Sequence, residues 1–308
     1  PLSVFAREIV GSCVTPDSIT SARRAIAGDV DQMVDDRALY DLLIRPTLEL
    51  TRSRHLIVIA DAALQHVPFA ALLDGQTQRR VIETMTVALA PSASALEPAA
   101  RSRGSRSVAA IALPTGDRSG TVALPEGEVE LADIVREYPR SVEIDAERAS
   151  LSAMADAAAS ADVIHIAGHT ERQSGGGDAA LVFRGRGAAG GPGTWSRIGA
   201  MRVRAPTAVL AACDTLRAPL SPQTTALSLG GGFLAAGAND VIGTLTPIAD
   251  RDARALFSAV HRQLARGRTP AAALQTAQRE AMAADSRAWR AVAVLTNRIE
   301  PEVRGGFP

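Results

Sequence analysis

The sequence contains no lysine, few aromatic residues and only two cysteines. All 33 basic residues are therefore arginine, and 33 acidic residues balance them to a net charge of zero. This balance gives no electrostatic case for binding nucleic acid or an anionic membrane. No apolar run approaches the roughly 20 residues that span a bilayer. The two cysteines, Cys13 and Cys213, are too far apart to form a disulfide framework, so we expect free thiols in a reducing cytoplasm.

Apolar residues make up 46% of the chain and aromatic residues 3%, so the core must be built from Ala, Leu, Val and Ile. Eight short apolar runs predict strands, and most are continuous rather than alternating, which is typical of a sheet covered on both faces. The class is α/β with a mostly parallel sheet. The predicted strands are Leu56–Ala60, Met85–Leu89, Val108–Ala112, Ser141–Asp145, Asp162–Ala167, Thr207–Ala212, Asp240–Leu245 and Ala291–Thr296.

Helical patterns separate these runs. Thr269 is a good N-cap and Pro270 suits the first helical position, which predicts a sharp start for the last helix. The predicted helices cover residues 127–138, 149–160, 224–237, 251–266 and 270–284.

Two of the predicted strands stop at chemically competent side chains, His169 and Cys213. In open α/β sheets, chemistry sits at the carboxyl ends of the strands. A cysteine hydrolase needs at least an imidazole that removes the thiol proton and a thiolate that attacks the substrate. A lone cysteine after a buried strand is more often an inert small hydrophobe, so the pattern alone leaves both readings open.

Two other patterns resemble ligand-binding sites, but a structural role explains each of them better. His165 and His169 have the spacing of a helical metal pair, but their run is strand-like and Gly168 interrupts it. We expect no metal and no cofactor, and predict that His165 is a buried structural histidine. The glycines at 230–232 have no lysine after them, so we predict close packing before Phe233 rather than nucleotide binding.

A series of motifs in a fixed order, from about residue 38 to 297, resembles the CHAT domains, which are caspase-like protease domains often found behind TPR repeats in bacteria. The motifs are Leu56–Leu72 with its His66-Val67-Pro68-Phe69 segment, Ala90–Leu96, Leu124–Glu130, His165–His169, Ala211–Thr215, Phe233–Ala238 and Gly243–Ile248.

The resemblance implies a caspase-like three-layer α/β/α fold with a mostly parallel sheet. An inactive pseudo-caspase half would pack on an active caspase-like half. The implied division is an N-terminal helical or linker segment over 1–37, a pseudo-caspase subdomain over 38–147, a catalytic subdomain over 148–300 and a tail over 301–308. His66 would then have a structural role.

The resemblance also implies a clan CD cysteine peptidase related to caspases and separase, with His169 as general base and Cys213 as nucleophile. The backbone N–H groups of Cys213 and Thr170 would form the oxyanion hole. The family usually has glycine where this chain has Thr170, and a β-branched residue takes a positive φ only at a cost. We therefore expect an altered oxyanion hole if that loop needs a glycine conformation. Thr246, where the family commonly has tryptophan, is a second departure.

Two acidic residues are the candidates for substrate binding. Asp250 lies in a segment that resembles the part of separase in which an aspartate lines the S1 pocket and pairs with a P1 arginine. The alternative is that Asp250 is the N-cap of the helix over 251–266. Asp214, directly after the nucleophile, is the other candidate.

Two functions follow from these patterns. The first is an endopeptidase that cuts a protein substrate at a restricted site in bacterial regulated cell death or defence, controlled by an activating or TPR-type partner. The second is a CHAT-like scaffold or binding module that has lost turnover. An active thiol is expected to have a lowered pKa and to react faster than an ordinary cysteine such as Cys13.

Overall fold

The computed structural model describes residues 32–48, 53–60, 62–99, 105–116, 122–172, 179–183, 191–218 and 228–299. Cys13, most of the predicted segment 1–37 and the tail 301–308 lie outside these residues. Within the described part of the chain, no helix is both long and apolar enough to cross a membrane.

An eight-stranded sheet forms the centre of the molecule, and each of the eight predicted strands contributes to it. Numbered along the chain, its strands are β1 (His55–Val58), β2 (Thr86–Leu89), β4 (Ser107–Ala112), β5 (Arg140–Ile144), β6 (Val163–Ala167), β10 (Thr207–Ala211), β11 (Asp240–Thr244) and β12 (Val292–Thr296). Their order across the sheet is β1-β2-β12-β11-β10-β6-β4-β5.

The sheet is mostly parallel, as predicted, with one antiparallel junction. Strands β11, β10, β6, β4 and β5 run in one direction. Strand β12 is antiparallel to β11, with Ile242 opposite Val294, and is parallel to β2. Strands from both sides of residue 147 pair directly, because Ala110 of β4 lies opposite His165 of β6. The division into a pseudo-caspase and a catalytic half at that residue stays a prediction.

Helices cover both faces of the sheet. They are α1 (Gln32–Leu39), α2 (Arg45–Leu48), α3 (Val81–Thr84), α4 (Pro125–Arg136), α5 (Leu151–Ala158), α6 (Trp195–Gly199), α7 (Leu229–Ala236), α8 (Asp250–Ala265) and α9 (Pro270–Ala283). Ile164 and Ile166 of β6 belong to the core cluster that also holds residues of α5, α6 and α7. Val163 belongs to the second cluster, which holds residues of α4, α8 and α9.

The ends of the helices follow local sequence rules. The hydroxyl of Thr269 accepts a hydrogen bond from the N–H of Ala272, and Pro270 opens α9, which confirms the predicted start. In α7, a Cβ on Gly232 would lie 2.7 Å from the carbonyl oxygen of Trp195. The glycine run therefore allows close contact between helices, which confirms its predicted packing role.

In the described ranges, five short strands lie outside the main sheet and form two smaller sheets. Strands β7 (Thr170–Arg172), β8 (Ala179–Phe183) and β9 (Gly191–Gly193) form an antiparallel three-stranded sheet, while β3 (Glu97–Pro98) pairs with β13 (Arg298–Ile299). Strand β7 begins directly after His169, so the chain turns from the main sheet into the small sheet at that residue. The sequence patterns did not predict the small sheet.

Candidate active site

His169 and Cys213 follow two strands that pair side by side. Ala167 of β6 lies opposite Ala211 of β10 in the parallel register. His169 and Cys213 each stand two positions beyond this pair, at the carboxyl edge of the sheet. The N–H of Gly168 donates to the carbonyl of Ala211 at 3.2 Å and holds the two chain segments together beyond the last paired residues. The prediction that these residues end neighbouring strands is confirmed.

Gly168 fixes the approach of the chain to His169. Its φ is 156°, and a Cβ at this position would lie 2.5 Å from the Cβ of Leu113. Leu113 follows β4, and its N–H donates to the carbonyl of Ala167 at 2.8 Å. Because the chains after β4 and β6 pass so closely, a side chain at position 168 would displace one of them.

The imidazole of His169 is oriented by the main chain. Its Nε2 atom lies 2.7 Å from the carbonyl oxygen of Val122, which can only accept a hydrogen bond. Nε2 therefore carries the proton, and in the neutral ring Nδ1 is the nitrogen that can take up another. Among the described residues, no hydrogen bond joins this imidazole to the thiol of Cys213. The ring is held in place by the segment before α4, independently of the thiol.

The thiol of Cys213 is partly buried, and its environment favours the protonated form. Burial raises the pKa of Cys213 above the ordinary value of 9.0, an N–H donated by Ile248 lowers it, and the negative charge of Asp214 raises it. The net shift is upward, so the thiol is protonated at neutral pH. The resting site therefore lacks the lowered pKa expected of an active thiol, because desolvation disfavours the thiolate.

Thr170 does not need a glycine conformation. It lies in β7 opposite Leu181, and it is absent from the residues with positive φ. Its hydroxyl donates to the carbonyl oxygen of Cys213 at 2.7 Å. The threonine thus bonds the segment after β6 to the segment after β10. A role for its N–H group in the oxyanion hole stays a prediction.

The turn that carries Cys213 rests on two buried threonines. The N–H of Thr244 donates to the hydroxyl of Thr215 at 2.9 Å, and the hydroxyl of Thr244 donates to the carbonyl of Ala212 at 2.6 Å. A Cβ on Gly243 would lie 2.5 Å from the hydroxyl oxygen of Thr215. Strand β11 therefore supports the turn closely from one side.

Asp214 has a left-handed backbone conformation, with a φ of 57°. Aspartate tolerates this region better than most residues do. Its carboxylate lies 3.7 Å from the guanidinium of Arg217. Its role in substrate binding stays a prediction.

His66 contacts the same region from the first third of the chain. Its Nε2 atom lies 3.1 Å from the carbonyl oxygen of Ala218, five positions after Cys213, and the side chain is buried. The first motif of the series is therefore bonded to the segment that follows the candidate nucleophile.

Asp250 caps a helix other than its own. It is the first residue of α8, whose N-cap is Ala249, so the predicted N-cap role is wrong. Its Oδ2 atom accepts a hydrogen bond at 2.9 Å from the N–H of Glu126, in the first turn of α4. A carboxylate there also interacts favourably with the positive end of the helix dipole. An S1 role for Asp250 stays a prediction.

Arg254, one turn along α8, adds to this contact. It donates to the carboxylate of Glu126 at 2.8 Å and to that of Asp133 at 2.9 Å. Helix α8 thus holds the beginning of α4, close to the Val122 carbonyl that orients His169.

His165 is fully buried in a chain of polar side chains. Its Nδ1 atom lies 3.0 Å from Nε2 of His261, and its Nε2 atom lies 3.1 Å from a carboxylate oxygen of Glu130. The other nitrogen of His261 lies 2.8 Å from the hydroxyl of Tyr138. Burial, with a smaller contribution from His165, keeps the pKa of His261 well below 6.5. The structural role predicted for His165 is confirmed. No three metal-ligating side chains converge within the described ranges.

Comparison with solved structures shows the fold. The chain is similar to the crystal structure of the Saccharomyces cerevisiae separase–securin complex, with a TM-score of 0.56 and 12% identity; the match covers 79% of this chain and 15% of that chain. It is also similar to the complex of Porphyromonas gingivalis RgpB pro- and mature domains, with a TM-score of 0.53, 10% identity and coverage of 91% of this chain and 74% of that chain.

A further similar structure is that of the Arg-specific cysteine proteinase gingipain R (RgpB), with a TM-score of 0.51 and 9% identity; the match covers 91% of this chain and 73% of that chain. At these identities the likeness is one of fold, which is α/β and caspase-like. The chain spans about one-seventh of the separase chain. No curated protein matches the sequence closely enough to count as a relative.

The model of the family described as CHAT domain matches residues 35–301, which is most of the chain and includes the region from within α1 to β13. The chain therefore belongs to the CHAT-domain family.

Proposed function

We propose that this chain is a cysteine endopeptidase in which His169 is the general base and Cys213 the nucleophile. The observation that carries the proposal is their equivalent position, each two residues beyond the registered pair Ala167 and Ala211. A thiol and an imidazole at the carboxyl edge of adjacent parallel strands support the proposal, because chemistry in open α/β sheets sits at that edge.

The raised pKa of Cys213 gives the base a defined task. Nδ1 of His169 removes the thiol proton, and the sulfur attacks the carbonyl carbon of the scissile peptide bond. The imidazolium then returns the proton to the departing amine, which leaves a thioester on Cys213. Water, deprotonated by the same imidazole, attacks the thioester and releases the carboxylic acid, which restores the thiol.

The negative oxygen formed in each attack needs hydrogen-bond donors. The N–H groups of Cys213 and Thr170 are the proposed donors, and one such donor contributes about 2.7–4 kcal/mol to an acyl-transfer reaction. The hydroxyl of Thr170, bonded to the Cys213 carbonyl, supports this assignment because it limits the relative motion of the two segments.

Two acidic residues are proposed to set the substrate specificity. Asp250 stands at the start of α8, just beyond the segment that contains Ile248, whose N–H reaches the Cys213 sulfur. One of its two carboxylate oxygens accepts from Glu126, so the charge of the carboxylate can still pair with a P1 arginine. Asp214 is the second proposed contact. The substrate is a protein cut at a restricted site, in bacterial regulated death or defence, under an activating or TPR-type partner.

A second function is a scaffold that binds a partner without turnover. The raised pKa of the thiol and the lack, among the described residues, of a hydrogen bond between His169 and Cys213 favour it. The two functions differ in a direct measurement of cleavage.

The test is a proteome-wide cleavage screen in which new protein N-termini are identified after incubation with the wild-type chain or with Cys213→Ala. We expect discrete new termini with wild type, none with Cys213→Ala and few with His169→Ala. The Cys13→Ala variant is the matched control and should cut as wild type does. Residual cutting by Cys213→Ala within tenfold of wild type would contradict the mechanism. No new termini with any form, together with specific capture of one protein, would support the scaffold.

A further inference from the structure

A buried arginine with an unused donor lines a small cavity. Arg290 belongs to the short 3₁₀ turn Ala288–Ala291 that precedes β12, and it is 7% exposed. Its Nη2 atom donates to Asp36 at 2.8 Å, whereas its buried Nη1 atom has no hydrogen-bond partner among the described residues. A buried donor without a partner destabilises the folded chain, and more so when the group is charged.

The charges around Arg290 do not balance. The Oδ2 atom of Asp36 accepts both from Arg290 and, at 2.7 Å, from Arg80, so two guanidinium groups share one carboxylate. Both guanidinium groups also lie over the ring of Trp289, at 5.6 Å for Arg80 and 5.3 Å for Arg290. Burial lowers the pKa of Arg290; Asp36 opposes that shift, and the nearby charges of Arg80 and Arg287 add to it. The cluster therefore carries an excess of positive charge.

The adjoining cavity is large enough for one small ligand. Its volume is about 20 Å³, and a single water needs about 10–15 Å³. Apart from Arg290 and Gln278, the lining side chains are apolar. The amide nitrogen of Gln278 already donates to the carbonyls of Trp289 at 2.7 Å and Val292 at 2.9 Å. Among the side chains that line the cavity, Nη1 of Arg290 is thus the donor without a partner.

The positive charge and the apolar side chains around the cavity favour an anion over a water molecule. A neutral water would leave the excess positive charge of the two guanidinium groups uncompensated. A halide donates no hydrogen bonds, tolerates apolar neighbours and neutralises the excess charge. We propose that the cavity is a binding site for a single monatomic anion of the chloride type, held by Nη1 of Arg290. By binding only the folded chain, the anion would stabilise it.

The first test compares thermal unfolding in sodium chloride and sodium gluconate at equal ionic strength. We expect chloride to raise the midpoint of the wild-type chain by about 2–4 °C, with saturation. Arg290→Met should abolish the difference between the salts. Arg266→Met, which removes an exposed arginine outside the cluster, is the control and should keep it. Equal midpoints in the two salts, or an undiminished chloride effect in Arg290→Met, would overturn the proposal.

The second test does not depend on a variant that folds. Crystals of the wild-type chain grown in sodium bromide should show an anomalous peak beside Arg290 Nη1, between the guanidinium and the apolar wall. A peak only elsewhere, or a light atom typical of water at this position, would overturn the assignment of an anion.

Discussion

The hydroxyl of Thr170 donates a hydrogen bond to the carbonyl oxygen of Cys213 at 2.7 Å, across 43 positions of sequence. This bond joins the residue after the candidate base to the candidate nucleophile itself. The β-branched side chain of Thr170 fits the extended backbone of β7. A glycine at this position would have no hydroxyl to donate to the Cys213 carbonyl.

Replacing Thr170 by valine should lower the turnover rate. Valine keeps the shape and the strand preference of threonine but removes a hydrogen bond worth about 1 kcal/mol. We expect kcat to fall about fivefold with little change in KM, because the bond positions the nucleophile rather than the substrate. Thr170→Ser keeps the hydroxyl and should retain most of the rate. Steady-state cleavage of a peptide substrate measures both constants; a Thr170→Val enzyme as fast as wild type would show that the bond has no catalytic value.

The raised pKa of Cys213 predicts a distinctive pH dependence of alkylation. With no substrate bound, the rate of reaction with iodoacetamide should increase about tenfold for each pH unit and level off only above pH 9.0. Mass spectrometry of the peptide that contains Cys213 gives this rate. A plateau between pH 6 and 8, about where a preformed thiolate would give one, would contradict the assignment.

The Asp250→Asn variant separates the role of the charge from that of the hydrogen bond. Asparagine keeps a side-chain oxygen for the Glu126 N–H, so α4 should stay capped. If the carboxylate is the S1 anion, this variant loses cleavage after arginine, because a buried guanidinium would lack its counter-charge. Paired peptides with P1 Arg or P1 Leu measure the preference, and Asp252→Asn in the same helical turn is the control. Equal or better wild-type cutting after leucine would rule out the pocket role.

His261 should make the fold sensitive to acid. Its pKa in the folded chain lies well below 6.5, so the unfolded chain binds a proton at this residue at a higher pH than the folded chain does. Stability is therefore complete above pH 6.5 and declines as the pH falls toward the folded pKa. Each pH unit in that window costs up to about 1.4 kcal/mol.

Urea unfolding at pH 7.5, 6.5 and 5.5 checks this prediction. The free energy of unfolding should fall more steeply with acid in wild type than in His261→Gln, in which the side chain does not titrate. Glu130, His165 and Tyr138 stay in both proteins, so the two chains differ only at position 261. Parallel curves would show that His261 does not control the acid sensitivity.

Much of the main sheet could be predicted because buried parallel strands carry continuous apolar runs. The runs around β6 and β10 also gave the positions of His169 and Cys213, since a strand that ends at a polar residue marks the edge of the sheet. The direction of β12 could not be predicted, because an apolar run has the same composition in either direction. The weak β7 and β9 segments are too short to show a period.

The contacts that orient the site were not predictable from residue types. His169 bonds to a carbonyl 47 positions earlier, and Asp250 bonds to an N–H 124 positions earlier. Backbone groups are the same in every residue, so no letter in the sequence marks them. For Asp250, the pattern of an acid before a helix indicated that the carboxylate would cap a helix. The capped helix is α4 rather than α8. The sequence likewise gave no sign that burial would outweigh the other influences on the thiol.

The carbonyl of Val122 has a consequence for how the sequence of the candidate site could vary. The partner of the His169 ring is a main-chain atom on a residue whose side chain is 77% exposed. Substitution at position 122 changes the side chain and leaves the oxygen in place. The orientation of the base then depends on where the main chain at residue 122 lies relative to its anchor at Glu126. Insertions or deletions there would act on catalysis more strongly than any single exchange of residue type.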